Sequence, residues 1–227
     1  MSSSKLLLVI ILNIIAASSY GSSDILFTDQ DTVKENQILY NGRLWRNPYT
    51  KVREDQFIFT PDLITGSIAT QGRIFKNVPL KYDIYKDELL TETPHGLMLQ
   101  LNKEMVDSFS LNYNGSDYLF VRSDSSSEYS GYVNLLYTGK SSFIVKYRKN
   151  IELLAVDKKY DQFYLIRKMY LVRDGSIDQF AGRLEFMRLL GDTKKEVRSF
   201  MKKNRINPSK NNPESFIPVI KFYDSIR

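Results

Sequence analysis

The stretch FKNVPLKYDIYKDELL, residues 75–90, decides the fold class. Pro79 has no N–H to give to a strand ladder and its ring fixes φ, which suits the start of a strand or a sheet edge. After it, Leu80, Tyr82 and Ile84 alternate with Lys81, Asp83 and Tyr85. A period of two puts the first set on one face and the second on the other, as in a half-buried strand. Lys86, Asp87 and Glu88 interrupt the alternation, and Leu89 and Leu90 resume it. The stretch predicts a hairpin within an antiparallel β domain.

The same signals recur on either side. Asn41-Gly42, between Ile38-Leu39-Tyr40 and Arg43-Leu44-Trp45, and Asn114-Gly115 are favoured dipeptides for two-residue hairpin turns. Gln71-Gly72 turns the chain ahead of Arg73. Strands are expected at 56–60, at 63–70 with Gly66 as a bulge or close-packing point, at 97–101, 109–113 and 118–122, and again at 132–137, 142–148, 151–156, 160–166 and 169–172. Residues 103–106 read as a single helical turn and 123–130 as an exposed loop. Ten or so short strands with no helical pattern between them predict a mainly β fold, an antiparallel curled sheet, sandwich or barrel-like closure.

Past Asp174-Gly175 the period changes. Ile177, Phe180, Leu184, Met187 and Leu190 recur at helical spacing, with Gly191 as a C-cap. Thr193 and Glu196 have the spacing of a capping box opening a second helix. Asn212-Pro213-Glu214 opens a third, whose start Pro218 either delays or kinks. Two or three C-terminal α-helices are expected, packed on the β domain because their stripes are too apolar to face water.

At the N-terminus, Lys5 precedes an unbroken apolar run at 6–12, and the small residues Ser18, Ser19, Gly21, Ser22 and Ser23 follow. These are the parts of a secretory signal peptide, and the run is shorter than the roughly 20 residues of a membrane anchor. The expected organisation is a signal peptide at 1–21, a loose segment at 22–36, an antiparallel β domain at 37–174 and helices at 175–227. The chain has no Cys. An exported domain large enough to do without disulfides fits a bacterial envelope protein, periplasmic or extracellular.

Charge is uneven. The chain carries +6, and residues 193–227 alone hold nine Lys/Arg against three acids, so the β part is close to neutral. The basic tail reads as a solvated helix face or as a weak attachment to an anionic membrane surface. Nucleic acid is not an expected partner of an exported protein.

Few residues suit catalysis. His95 is the one histidine, and no G-x-S-x-G elbow is present. Zinc prefers Cys and His. Oxygen ligands for calcium are conceivable at Asp83, Asp87 and Glu88 or at Asp157 and Asp161, but neither set has the EF-hand ladder. No phosphate loop or dinucleotide fingerprint occurs. No catalytic, cofactor-binding or metal residue is therefore assigned. The function read from the residues is non-catalytic binding of a protein, glycan or lipid partner, with an acyl chain held in a closed barrel as one version. The alternatives are a carboxylate-dependent hydrolase with a groove lined by Trp45 and tyrosines, and a structural or assembly factor of a surface complex.

Four segments together carry a resemblance: NGRLW at 41–45, NVPLKYDIYKDELL at 77–90, GYVNLLYTGK at 131–140 and FIPVIKFYDSIR at 216–227. In these the chain resembles a family of exported proteins from Bacteroidota. The resemblance covers nearly all of the chain after its leader and implies export and a β-then-helix layout, with no catalytic activity attached.

Overall fold

The computed structural model describes residues 37–124 and 129–227. The expected signal peptide at 1–21, the segment at 22–36 and the middle of the serine-rich loop lie outside the described residues. The strands are β1 (Gly42–Leu44), β2 (Ile64–Thr70), β3 (Arg73–Asp83), β4 (Glu88–Glu92), β5 (Met98–Leu101), β6 (Val106–Tyr113), β7 (Ser116–Ser123), β8 (Gly131–Thr138), β9 (Ser142–Val156), β10 (Tyr160–Arg173) and β11 (Ser176–Phe180). They form one antiparallel sheet in the order β1-β5-β4-β3-β2-β6-β7-β8-β9-β10-β11. β1 and β11 are its edges, so the sheet is open and no barrel closes. The helices α1 (Arg183–Leu189), α2 (Lys194–Lys203) and α3 (Ile217–Ile226) follow.

The chain divides into two compact units. The first holds residues 37–124 and 129–132 with the outer halves of β9 and β10, Tyr147–Ile166. Here residues 75–90 form the expected hairpin, with Leu80 opposite Thr91 and Tyr82 opposite Leu89. Leu80, Tyr82 and Ile84 are buried, as the alternation requires, but Asp83 on the opposite face is buried too. Pro79 lies mid-strand, opposite Thr65 of β2 and just before the first β3–β4 pair. Its carbonyl accepts from Thr91 Oγ1 at 2.8 Å. A ladder that ends there has no use for the missing N–H. The strand register shifts between Gly66 and Ser67, and a Cβ on Gly66 would lie 2.0 Å from Ser110 O. Tyr82 sits among Phe109, Phe120 and Tyr132 with centroids 5.1, 5.2 and 5.8 Å away.

Three expectations change in this unit. Residues 37–39 are helical, and Gly42–Leu44 pairs with β5 rather than across an Asn41-Gly42 turn. Gly42 serves close approach instead, since a Cβ there would meet Gln100 O at 2.2 Å. Residues 56–60 form no strand. Glu54 and Phe59 are left-handed, with φ of 61° and 64°, and interrupt extension on either side. The segment still packs inward: Ile58 N–H donates to Tyr82 O and Ile84 N–H to Gln56 O. Third, the strands expected at 142–148 and 151–156 are the single 15-residue β9, and those at 160–166 and 169–172 lie in the 14-residue β10. The polar runs 148–150 and 167–168 are strand residues, not breaks: even Asn150, a turn former, stays in the strand, and neither run has a residue of positive φ.

The second unit holds Val133–Lys146 and Arg167–Arg227. Asp174-Gly175 leads into a further strand, with Ile177 opposite Val172 and Phe180 opposite Met169. The helical part therefore starts at Arg183, and Ile177 and Phe180 belong to β11. Phe180 is inward on that strand and joins Phe143, Phe186 and Phe216 in an aromatic cluster with centroid separations of 5.2 to 6.1 Å. All four are 0 or 1% exposed, so α1 and the turn before α3 are fixed to the strands through phenyl rings. Phe200 of α2 stacks on Phe222 of α3 at 4.1 Å. Thr193 makes no capping box. Gly191–Thr193 is already a 3₁₀ turn, so Thr193 has helical dihedrals and its hydroxyl donates back to Leu190 O. Pro213 opens a second 3₁₀ turn, Pro213–Phe216, and Pro218 falls in the first turn of α3, so the α-helix starts late without a kink.

Candidate anion-binding cleft

The expected chemical residues are scattered and engaged. His95 is exposed in the turn between β4 and β5. Trp45 packs against Phe57 at 6.0 Å and gives its backbone N–H to Met98 O. Asp83 is buried in the β3–β4 turn, where Oδ1 accepts from the backbone N–H of Tyr85 and Lys86, both at 2.9 Å. Burial raises its carboxyl to about 6, against the pull of those two N–H donors. Asp87 accepts from the Tyr82 hydroxyl and pairs with Lys103. Tyr82 is held neutral by its own burial first and by the adjacent Asp87 second. Glu88 faces Arg43 at 3.7 Å. Asp161 Oδ1 accepts from Leu154 N–H at 3.0 Å. These carboxylates are spent on the fold's own donors. Among the described residues no group of three His, Cys, Asp or Glu is placed to hold a metal ion.

A different set of residues converges. Arg183, Leu184, Met187 and Arg188 lie one helical turn apart on α1, and Lys194 and Arg198 do so on α2. The tight link at 190–193 brings these rows together around a cleft of about 390 Å³. Met187 forms its buried floor, and Leu184 stands 77% exposed at its lip. Four cations line the space and no carboxylate does. Arg183 is oriented by Asn207, whose Oδ1 accepts from its guanidinium at 2.9 Å. Arg188, Lys194 and Arg198 have no hydrogen-bond or ion-pair partner among the described residues.

That arrangement is costly without an occupant. Like charges repel across the cleft. Lys194 also sits at the first position of α2, where the helix dipole disfavours a cation by about 0.3–1 kcal/mol. An anion relieves both, and guanidinium forks recognise phosphate, sulfate and carboxylate in two-point fashion. A volume of this size admits a small charged group or one sugar ring. Counting charge from residue 193 leaves out Arg183 and Arg188. The signal for them lies in the spacing, Arg183–Met187 and Lys194–Arg198 at four residues, on two helices read from the same stretch of sequence.

Comparison of the chain with protein-family models, with curated proteins and with solved structures finds no match to any of the three.

Proposed function

We propose that this is an exported cell-envelope protein that binds its partner without transforming it, and that the partner presents phosphate, sulfate or carboxylate groups, on a glycan or a lipid headgroup, to the cleft of α1 and α2. The observation that carries the reading is the ring of four cations around a concave site with no lining acid. Export is supported by the leader-like composition of residues 1–23. Two of the nine cations of residues 193–227, Lys194 and Arg198, join Arg183 and Arg188 in lining this cleft, which supports attraction of an anionic partner.

The test uses the purified chain with two probes, a sulfated polysaccharide in solution and vesicles containing phosphatidylglycerol, each titrated at low and at high salt. Binding that Arg188→Glu with Arg198→Glu weakens tenfold or more, and that fades as salt rises, is expected. Response to the polysaccharide alone assigns a glycan, and response to the vesicles alone assigns a headgroup. Binding to neither probe, or binding indifferent to both substitutions, overturns the proposal.

A further inference from the structure

The α1–α2 cleft is charged on its walls and apolar between them. On a helix that turns about 100° per residue, the order around α1 is Arg183, Met187, Leu184, Arg188. The two apolar side chains therefore lie between the two arginines. Met187 is buried and Leu184, one turn back on the same side, is 77% exposed. The helical spacing joins Leu184 to Met187 and Leu190 in one stripe, yet of the three only Leu184 faces solvent. Arginine stems are themselves apolar, so the strip is bordered by methylenes before it meets charge.

Acids are kept off this cleft. Residues 183–205 carry eight cations and three acids. Glu185 Oε2 accepts from Ala181 N–H at 2.7 Å, at the start of its own helix. Glu196 stands two positions from Lys194 and two from Arg198, which turns it away from both on α2. Asp192, in the 3₁₀ link, does not line the cleft.

Given the anion-binding reading above, on which this rests, we infer that the cleft takes an amphiphile: an anionic head held among Arg183, Arg188, Lys194 and Arg198, with an apolar chain that leaves the head along Met187 and Leu184. The lining favours this occupant over a charged sugar. Arginine and lysine only donate, so the proton of a sugar hydroxyl finds no acceptor among those four side chains. No aromatic ring lines the cleft for a sugar face to rest on. Hydroxyls laid against leucine and methionine lose water without a hydrogen bond in return. A chain of methylenes instead covers Leu184 and removes apolar surface from water on both partners.

The experiment titrates the full chain at low salt with methyl phosphate and with octyl phosphate, which share a head and differ in chain, and with the sulfated polysaccharide. Octyl phosphate is kept below its micelle concentration. It is expected to bind about tenfold more tightly than methyl phosphate, the gain from covering a leucine side chain. Leu184→Ser is expected to bring that ratio close to one. Leu153→Ser, at a similarly exposed leucine that does not line the cleft, is expected to leave the ratio at about tenfold. Both positions are exposed, so both variants should keep the parent's thermal melt. Arg188→Glu with Arg198→Glu is expected to weaken both phosphates tenfold or more. Vesicles containing phosphatidylglycerol read the source of the chain. Vesicle binding that Leu184→Ser weakens assigns a membrane lipid, and octyl phosphate binding without vesicle binding assigns a dissolved amphiphile. Equal affinity for the two phosphates, a preference unchanged by Leu184→Ser, or binding of the polysaccharide alone overturns the inference and leaves the anion-binding cleft standing. Binding of no probe overturns the cleft as well.

Discussion

Asp224 on the last helix accepts two hydrogen bonds from Ser141 in the β8–β9 turn, from the backbone N–H at 2.9 Å and from the hydroxyl at 2.7 Å. Tyr137 adds a third at 3.1 Å. Asp224 is 5% exposed and Ser141 1%, so water cannot replace the carboxylate if it is removed. Asp224→Ala is expected to cost about 2–3 kcal/mol, the penalty of buried donors left without an acceptor. Urea denaturation at pH 7 measures it. Asp224→Asn keeps one acceptor oxygen and should cost less, and a loss equal to that of the alanine variant would argue against hydrogen bonding as the cause.

The same helix completes an aromatic core. Truncation before Phe216 removes that ring together with Val219 and Ile220, which are fully buried. It also removes Tyr223, whose hydroxyl accepts from Arg173 at 2.7 Å. Phe216→Ala alone is expected to cost about 3–5 kcal/mol. The truncated chain should lose its cooperative thermal transition, read by near-UV circular dichroism.

Asp83 sets a pH dependence of defined sign. Its folded carboxyl titrates near 6, above the ordinary 3.8, because burial disfavours the charged form. The folded state therefore binds the proton more tightly than the unfolded one. Its contribution is best below about pH 4 and is lost as pH rises toward 6. Asp83→Asn should remove that slope. At pH 7 it should stabilise by up to about 3 kcal/mol, provided its side-chain oxygen keeps the two N–H donors. Denaturant midpoints at half-unit pH steps from 4 to 7 test this, and parallel curves for parent and variant would refute it.

Asp87 ties the β3–β4 turn to Lys103 and, through its bond to Tyr82, to the centre of the first unit. Asp87→Ala leaves the buried Tyr82 phenol with only a long bond to Tyr132 O, at 3.4 Å, and a half-buried lysine without its counter-charge. A loss of about 1–3 kcal/mol is expected. Tyr82→Phe with Asp87→Ala should recover part of it, because both ends of the bond are then gone. A double-mutant cycle reads the coupling.

The parts of the fold legible in the sequence were those fixed by neighbours along the chain. The alternation at 80–84, the turns at Gln71-Gly72 and Asn114-Gly115 and the bulge at Gly66 all reappear in the structure. Asn41-Gly42 and Thr193-x-x-Glu196 carry equally good local signals and fail, because pairing with β5 and a preceding 3₁₀ turn decide those positions. The length of β9 and β10 was hidden by polar runs that resemble loops. For the cleft, Lys194 and Arg198 lie within the basic tail, but convergence with Arg183 and Arg188 depends on how the 190–193 link folds α1 back against α2. The exposed end of the β9–β10 hairpin had no sequence signal: residues 151–156 read as one strand among others, and only the structure shows Leu153 and Leu154 exposed.

Phe143 meets its partner Phe216 across 73 positions of chain. During synthesis the strands carrying Phe143 and Phe180 emerge long before the ring that covers them. Until residues 216–227 have been made, Phe143 and Phe180 lack the ring that covers them. A chain of this order favours attendants that shield apolar segments during the interval between the two rings.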